Sequence, residues 1–450
     1  MITIKKTPGV YIEEISNFPP SVASVDTAVP AFIGYTDKED DKFKAQKIYS
    51  LLDFEERYCD FSSWKLTYDV KNNAVDEDFS RNELYYHMQL YFANGGGKCY
   101  IISVGSKPKN SKGRKEDYLK ALEVLLKEDE PTLIVMPEAA SMPLQSCMDV
   151  YKTALQQAAK LMDRFVIMDI PEDNGDKEIE NFRNNIGSEN LMFGAAYYPN
   201  LKTNITIYSK VSNQDIIFKD IAVEDKDGKK TKSITNAEIE PGNMDRQKMI
   251  QKVKEQTLVM PPSAAIAGIY ATIDGTRGVW KSPANVGLNF VSGLVKKISH
   301  EEHGELNIHT EGGKSINAIR SFTGRGIMVW GARTLAGNDN EWRYINVRRF
   351  YNFVEESVEK ATQQFVFEPN DANTWVRVST MIENFLSNLW RQGALTGATP
   401  KEAFFVKVGL GVTMTMDDIL NGIMNVEIGL AVVRPAEFII LKFSQKMQES

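Results

Sequence analysis

Three of the four histidines sit close together, His300, His303 and His309 in the run His-Glu-Glu-His-Gly-Glu-Leu-Asn-Ile-His. Imidazole and carboxylate groups at that density could hold a divalent metal and activate a water. The spacing is neither HExxH, because residue 304 is Gly, nor HxxEH, and the flanking Glu301-Glu302 and Gly304 read as a solvated loop. A second candidate is Gly95-Gly96-Gly97-Lys98. A phosphate loop needs a further Gly where this chain has Phe92, and Ser or Thr where it has Cys99. The run follows a helical pattern and precedes an apolar strand, so it reads as a helix stop. No Gly-x-Ser-x-Gly elbow is present, and none of Cys59, Cys99 and Cys147 has an evident histidine partner. Trp342-Arg343-Tyr344 through Arg348-Arg349 mixes cations with aromatics and could stack bases. At the start of a helix, such arginines more often pair with carboxylates. No catalytic set emerges, which favours a structural or interaction role over catalysis.

Composition narrows the classes further. The chain has 450 residues, enough for two or three domains and a large core without metal or disulfide staples. Its 53 Lys and Arg against 60 Asp and Glu give a net charge of −7, which argues against bulk nucleic-acid binding. Three widely spaced cysteines fit neither a disulfide framework nor a zinc site and suit a reducing cytoplasm. Lys5-Lys6 is followed by Thr-Pro-Gly instead of an apolar run, so no secretory signal is expected. The longest uncharged stretch, Gln256 to Ile273, contains Pro261-Pro262 and several hydroxyls and is rejected as a membrane span.

The elements that must carry any site alternate between strand and helix. Strands are expected at Ala31–Tyr35, Cys99–Val104, Thr132–Met136 and Phe165–Ile170, with helices at Leu84–Phe92, Tyr118–Leu126 and Cys147–Met162. That alternation specifies an α/β sheet with helices packed on it. Asn204–Tyr208 and Asp215–Phe218 read as a polar hairpin, and the charged run Asp220–Lys232 as a solvated tip. Val347, Phe350, Val354, Val358, Ala361 and Phe365 mark one face of a long helix; a second follows from Thr374 to Arg391, with Gly393 past its end. A short turn at Asp417–Leu420 and a strand at Val426–Val432 follow. Val10–Ile15, bounded by Pro8 and Pro19-Pro20, and Phe438–Phe443, beyond Pro435, read as extended strands at the two ends.

Several blocks then resemble the contractile tail sheath proteins of phages and phage-like injection systems. They are Thr7-Pro8-Gly9-Val10-Tyr11-Ile12-Glu13-Glu14; Phe92 to Tyr100; Pro261-Pro262-Ser263 with Ala267-Gly268-Ile269-Tyr270-Ala271; and Arg277-Gly278-Val279-Trp280-Lys281-Ser282-Pro283. Further along come Ile316-Asn317-Ala318-Ile319-Arg320, Trp330-Gly331-Ala332-Arg333-Thr334, Glu341 to Arg349, Arg391-Gln392-Gly393-Ala394-Leu395 and Val433-Arg434-Pro435-Ala436-Glu437-Phe438. Ala264 stands where the family often has Gly, and the 200–256 region and the histidine run are poorly matched.

The resemblance implies a sheath subunit that polymerises with copies of itself as stacked rings around an inner tube. It implies contraction that drives the tube through a target envelope, with no catalysis and no cofactor. It also implies an inner tube protein, baseplate and terminator or cap proteins as partners, room for sheath paralogues, no nucleic acid and no direct membrane insertion. Assembly is expected in the cytoplasm, as part of a phage tail or a particle released from the cell. The architecture expected is an inner mixed α/β domain from both chain ends (1–25 and 251–450) with extended terminal β-arms. An outer α/β domain (26–250) is expected as an insertion, with a small polar β insertion at 200–250. Val10, Tyr11, Ile12, Glu13 and Ile15 at one end, and Phe438, Ile439, Ile440, Leu441 and Phe443 at the other, are expected to add strands to neighbouring subunits. The rival reading is a soluble α/β enzyme using metal at the histidine run.

Overall fold

Runs such as Ala31-Phe32-Ile33 and Phe165-Val166-Ile167 offer no polar face, so they belong in a sheet covered on both sides. The computed structural model describes residues 22–64, 66–72, 74–75, 83–108, 113–171, 177–206, 210, 216–225, 228–235 and 244–441. A nine-stranded sheet is built from β1 (Pro30–Gly34), β2 (Ala45–Ile48), β3 (Cys99–Ser103), β4 (Leu133–Val135), β5 (Phe165–Asp169), β6 (Gly194–Tyr198), β7 (Val286–Gly287), β8 (Ile316–Phe322) and β9 (Gly326–Val329). Its order is β7-β9-β8-β6-β5-β4-β1-β3-β2. The six central strands from β3 to β8 run parallel, while β2, β9 and β7 pair antiparallel at the edges. The order β3-β1-β4-β5-β6 is the 2-1-3-4-5 sequence of a doubly wound sheet, whose switch point lies between β1 and β4.

Period-two alternation sends side chains to two apolar layers. Phe32, Ile101, Val135 and Ile167 face α1 (Glu83–Ala93) and α4 (Ser263–Arg277). Ala31, Ile33, Ile134 and Val166 face α2 (Lys115–Leu125) and α3 (Leu144–Leu161). The Gly95–Gly97 run ends α1. Gly95 takes φ +89°, and the Gly96 N–H donates to the Tyr91 carbonyl at 3.0 Å.

The chain divides into two compact units: Val25–Glu356 with 433–441, and Ser357–Val432 with 22–24. The division expected at residue 250 is therefore displaced by about a hundred residues. The reason is strand pairing and packing on the large sheet: β8 adds to β6, α4 covers its face, and the strand Leu201–Thr206 pairs with Thr257–Met260 across the expected boundary. Among the described residues, Leu201–Thr206 and Ile216–Asp225 do not pair with each other as a hairpin. Ile216–Asp225 pairs with Leu66–Asp69 and with Gly228–Thr235, so the described residues of the charged run lie in strands.

The smaller unit contains the end of α5 (Ile345–Thr362), then α6 (Ala372–Arg391), β10 (Phe404–Val408), the short α7 (Met416–Leu420) and β11 (Val426–Leu430). Asp371 caps α6 by accepting from the Thr374 N–H at 3.0 Å, and Val378, Ile382, Phe385 and Leu389 form its buried face.

Candidate functional site: chain ends and an open sheet edge

The chemistry-bearing residues of the sequence do not converge. His300 and His303 lie on a helix, His300–Asn307, started by a Ser299/Glu302 capping box, where the sequence suggested a loop. His300 is exposed, and His309 Nδ1 accepts from the Gly312 N–H at 3.1 Å. Among the described residues no group of three or more His, Cys, Asp and Glu is placed to hold a metal ion. Burial raises all three cysteine thiols far above their ordinary pKa, the opposite of an activated nucleophile.

Two buried carboxylates sit at the C-terminal ends of central strands. Glu138 follows β4 at the switch point; its Oε2 accepts from the Tyr35 N–H at 2.9 Å and the Tyr118 hydroxyl at 3.1 Å. Asp169 ends β5 and accepts from the Ser263 N–H at 2.8 Å, capping α4 from a neighbouring element. Burial pushes each up to about 7. At 2% and 0% exposure both are sealed, and their bonds go to the fold itself.

What remains open is at the chain ends. In the smaller unit β10 and β11 pair antiparallel, Phe404 opposite Leu430 through Val408 opposite Val426. Among the described residues no third strand joins this pair. Thr396 N–H donates to the Ala431 carbonyl just beyond β11, so β10 carries the more open edge. Two strands alone bury too little to be stable and present unpaired backbone groups.

In the larger unit the returning tail is held by side chains. Asn346 Nδ2 donates to the Val433 carbonyl at 3.0 Å. The Glu437 carboxylate accepts from Arg333 Nε at 2.9 Å and Nη2 at 2.5 Å, from Asn307 Nδ2 at 2.7 Å and from the Tyr344 hydroxyl at 3.3 Å. Burial opposes its ionisation, but these donors hold it below the usual carboxylate range. Immediately beyond, Phe438, Ile439, Ile440 and Leu441 are 67%, 78%, 80% and 72% exposed and lie in no strand of their own chain. Four large apolar side chains in succession facing solvent are unusual on a protein surface. Val10, Tyr11, Ile12, Glu13, Ile15 and Phe443 lie outside the described residues.

Near residue 25 the chain is held comparably. Arg349 forms a fork on Asp274, Nη1 to Oδ1 at 3.1 Å and Nη2 to Oδ2 at 2.5 Å. Thr27 Oγ1 donates to Asp274 Oδ2 at 2.6 Å, and the Thr27 carbonyl accepts from Arg349 Nη2 at 2.9 Å and Thr132 Oγ1 at 2.8 Å. Arg348, its neighbour, turns inward to Asn352 and Glu355 and stacks on Trp342. The aromatic-and-arginine run is thus an internal packing feature. From sequence, Arg349 is expected only to pair with a carboxylate, which Asp274 supplies, whereas Arg333 and Glu437 stand within the resembling blocks with no role. A lone Glu just before an apolar run was the available signal for Glu437.

Comparison with known proteins bears on this geometry. Residues 337–446 match the model of the phage tail sheath C-terminal domain. The chain is 31% identical to a chain of the PVC sheath complex, an extracellular contractile injection system in its contracted state, covering 99% of both, with a TM-score of 0.68. It is 33% identical to a chain of the contracted helical sheath of the anti-feeding prophage, covering 98% of this chain and 100% of that one, with a TM-score of 0.66. Over 142 residues it is 31% identical to the tail sheath protein of Burkholderia phage BcepMu, a stretch amounting to 30% of this chain and 29% of that protein. Other curated phage tail sheath proteins are matched over 17–34% of their length. The fold and these end-to-end matches together define a structural sheath protein. The chain belongs to the contractile tail sheath protein family.

Proposed function

We propose that this protein polymerises with itself as stacked rings around an inner tube and contracts to drive that tube through a target envelope. The observation that carries the reading is the end-to-end match to sheaths in a contracted state. The open β10 edge and the exposed Phe438–Leu441 segment support a linkage by strand addition, in which one subunit's arm completes another's sheet. Val10–Ile15 is the second arm in this reading. Such backbone links persist while the globular units slide and repack, and the energy is the difference between two packings of the same subunits. No nucleotide enters this scheme, and the subunit has no catalytic role in it.

Residues 337–446, which match the phage tail sheath C-terminal domain, include the smaller unit's stretch from Ser357 to Val432. We assign that unit to the tube-facing layer and the nine-stranded unit to the outside. A baseplate that triggers contraction, a terminator at the far end and an inner tube protein are the partners this scheme requires. The metal-dependent enzyme suggested by the histidine run finds no support in the end-to-end matches, which are to chains of contractile sheaths.

Electron microscopy of the chain co-expressed with its tube protein tests the proposal. Hollow helical tubes of two lengths and widths are expected, and a chain that stays a compact monomer under these conditions would overturn it.

A further inference from the structure

The chain enters the nine-stranded unit after Ser24, leaves it after Glu356 and returns to it after Val432. An arginine–carboxylate fork lies beside the first entry and beside the return. Thr27, at the first entry, is bound to the Arg349–Asp274 fork, whose side chains are 3% and 5% exposed. Glu437, just past the return, is itself one half of the fork with Arg333, their side chains 21% and 4% exposed. Resting on the arm reading above, we infer that these two forks are the mechanical anchors of the arms. Arg349–Asp274 fixes the chain at Thr27, Arg333–Glu437 fixes it at Glu437, and tension carried by an arm enters the large sheet at those two points.

Three features set this role apart from ordinary fold stability. First, the tail from Val433 to Leu441 forms no strand, so no backbone ladder shares the load, and its grip comes from side chains on Val433 and Glu437. Second, the forks are two-pronged. A planar guanidinium holding a carboxylate by two or three N–H groups resists displacement in its plane, which a lysine ammonium cannot. Third, the partners that receive the load are deep in the large unit. The Arg333 N–H donates to Asn317 Oδ1 on β8 at 2.8 Å, and Asn317 Nδ2 donates to the Ala196 carbonyl on β6 at 3.2 Å. Arg349 stacks on Tyr270 of α4, whose hydroxyl bonds that of Tyr197 on β6 at 2.8 Å. Both anchors therefore lead to the same parallel strand.

The experiment uses the full chain with a nitroxide label at Ala436→Cys or at Ser24→Cys. Both sites are exposed, while Cys59, Cys99 and Cys147 are buried, so labelling is selective. Glu437→Gln, which keeps the shape and removes the charge, is expected to speed tumbling of the label at 436 by about threefold or more and leave that at 24 unchanged. Asp274→Asn is expected to do the reverse. Arg333→Lys, which keeps the charge and loses the fork, should also free the label at 436. It serves as the reading if Glu437→Gln does not fold. Unchanged mobility at 436 in a folded variant overturns the C-terminal anchor. A chain ending at Glu437 separates the two ideas. If it still builds contractile sheaths, the arm reading fails, whereas the label result stands or falls by itself.

Discussion

At the scale of single residues the large unit carries buried groups whose ionisation opposes folding in opposite directions. Burial pushes Asp169 and Glu138 up to about 7, and it pushes His87, with Lys107 nearby, down to about 3. A carboxyl raised in the folded state contributes stability that is complete below its unfolded pKa and disappears as pH rises through its folded one. A histidine lowered in the folded state contributes above its unfolded pKa and loses that contribution as pH falls through the folded value. Asp169→Asn isolates one of these terms. Whatever its constant offset, the variant should gain on the parent as pH rises from about 4 to about 7, by roughly 2–4 kcal/mol over the window. Urea midpoints of both chains at pH 5 and pH 8 check this, and parallel curves would contradict it. The histidine run is a contrasting case. His300, His303 and His309 together replaced by Ala should leave sheath assembly intact and change stability by under about 1 kcal/mol. Metal in purified particles, or loss of assembly, would reverse that view.

At the scale of elements, α4 shows what could be read from sequence and what could not. The six central parallel strands β1, β3, β4, β5, β6 and β8 are short apolar runs. Four of them were legible, because a strand buried on both faces must be continuously apolar. β6 and β8 went unread because Gly194-Ala195-Ala196 and Asn317 dilute the pattern. The placement of α4 was also not legible. Its apolar residues run around the whole helix, Ala264 to Tyr270 being buried without interruption, so no stripe announces which face meets the sheet. The determinant is a contact. At Gly268 a Cβ would lie 2.6 Å from the Tyr91 carbonyl oxygen and 2.9 Å from Asn94 Cβ, so the backbones of α1 and α4 touch there. Gly268→Ala should therefore cost about 1–3 kcal/mol through overpacking, and Gly268→Leu should prevent folding of the large unit. Thermal melts followed by near-ultraviolet circular dichroism check both. An unchanged melt for the leucine variant would mean that α1 and α4 are free to separate. The candidate site was legible in outline only. Proline and a terminal apolar run pointed to arms, but the arginine forks join residues 75 and 104 positions apart, and no local pattern encodes such a pairing.

At the scale of the whole molecule the question is whether the arms belong to the chain's own core or to its neighbours. The described residues of the large unit form an apolar layer on each face of the nine-stranded sheet. In the smaller unit α6 buries Val378, Ile382, Phe385 and Leu389. On the arm reading, folding of one chain does not call on residues 1–15. An intersubunit strand of that length offers four to six backbone hydrogen bonds, each worth roughly 0.5–1.5 kcal/mol net. This is modest for one contact and large when repeated along a helical lattice. Deleting residues 1–15 should spare the monomer's circular dichroism and melting, yet block sheath assembly. Lengthening the chain near Asn17 by a few residues should be milder. Sheaths should form but fail to contract, because a slack tether no longer passes one subunit's displacement to the next. Microscopy of both variants beside circular dichroism of the monomers separates the outcomes. Normal contraction by the deletion variant would remove the N-terminal arm from the mechanism. An unfolded monomer would return those residues to the chain's own core, and the fork at Arg349 and Asp274 would then be a brace within one fold instead of a load-bearing joint between subunits.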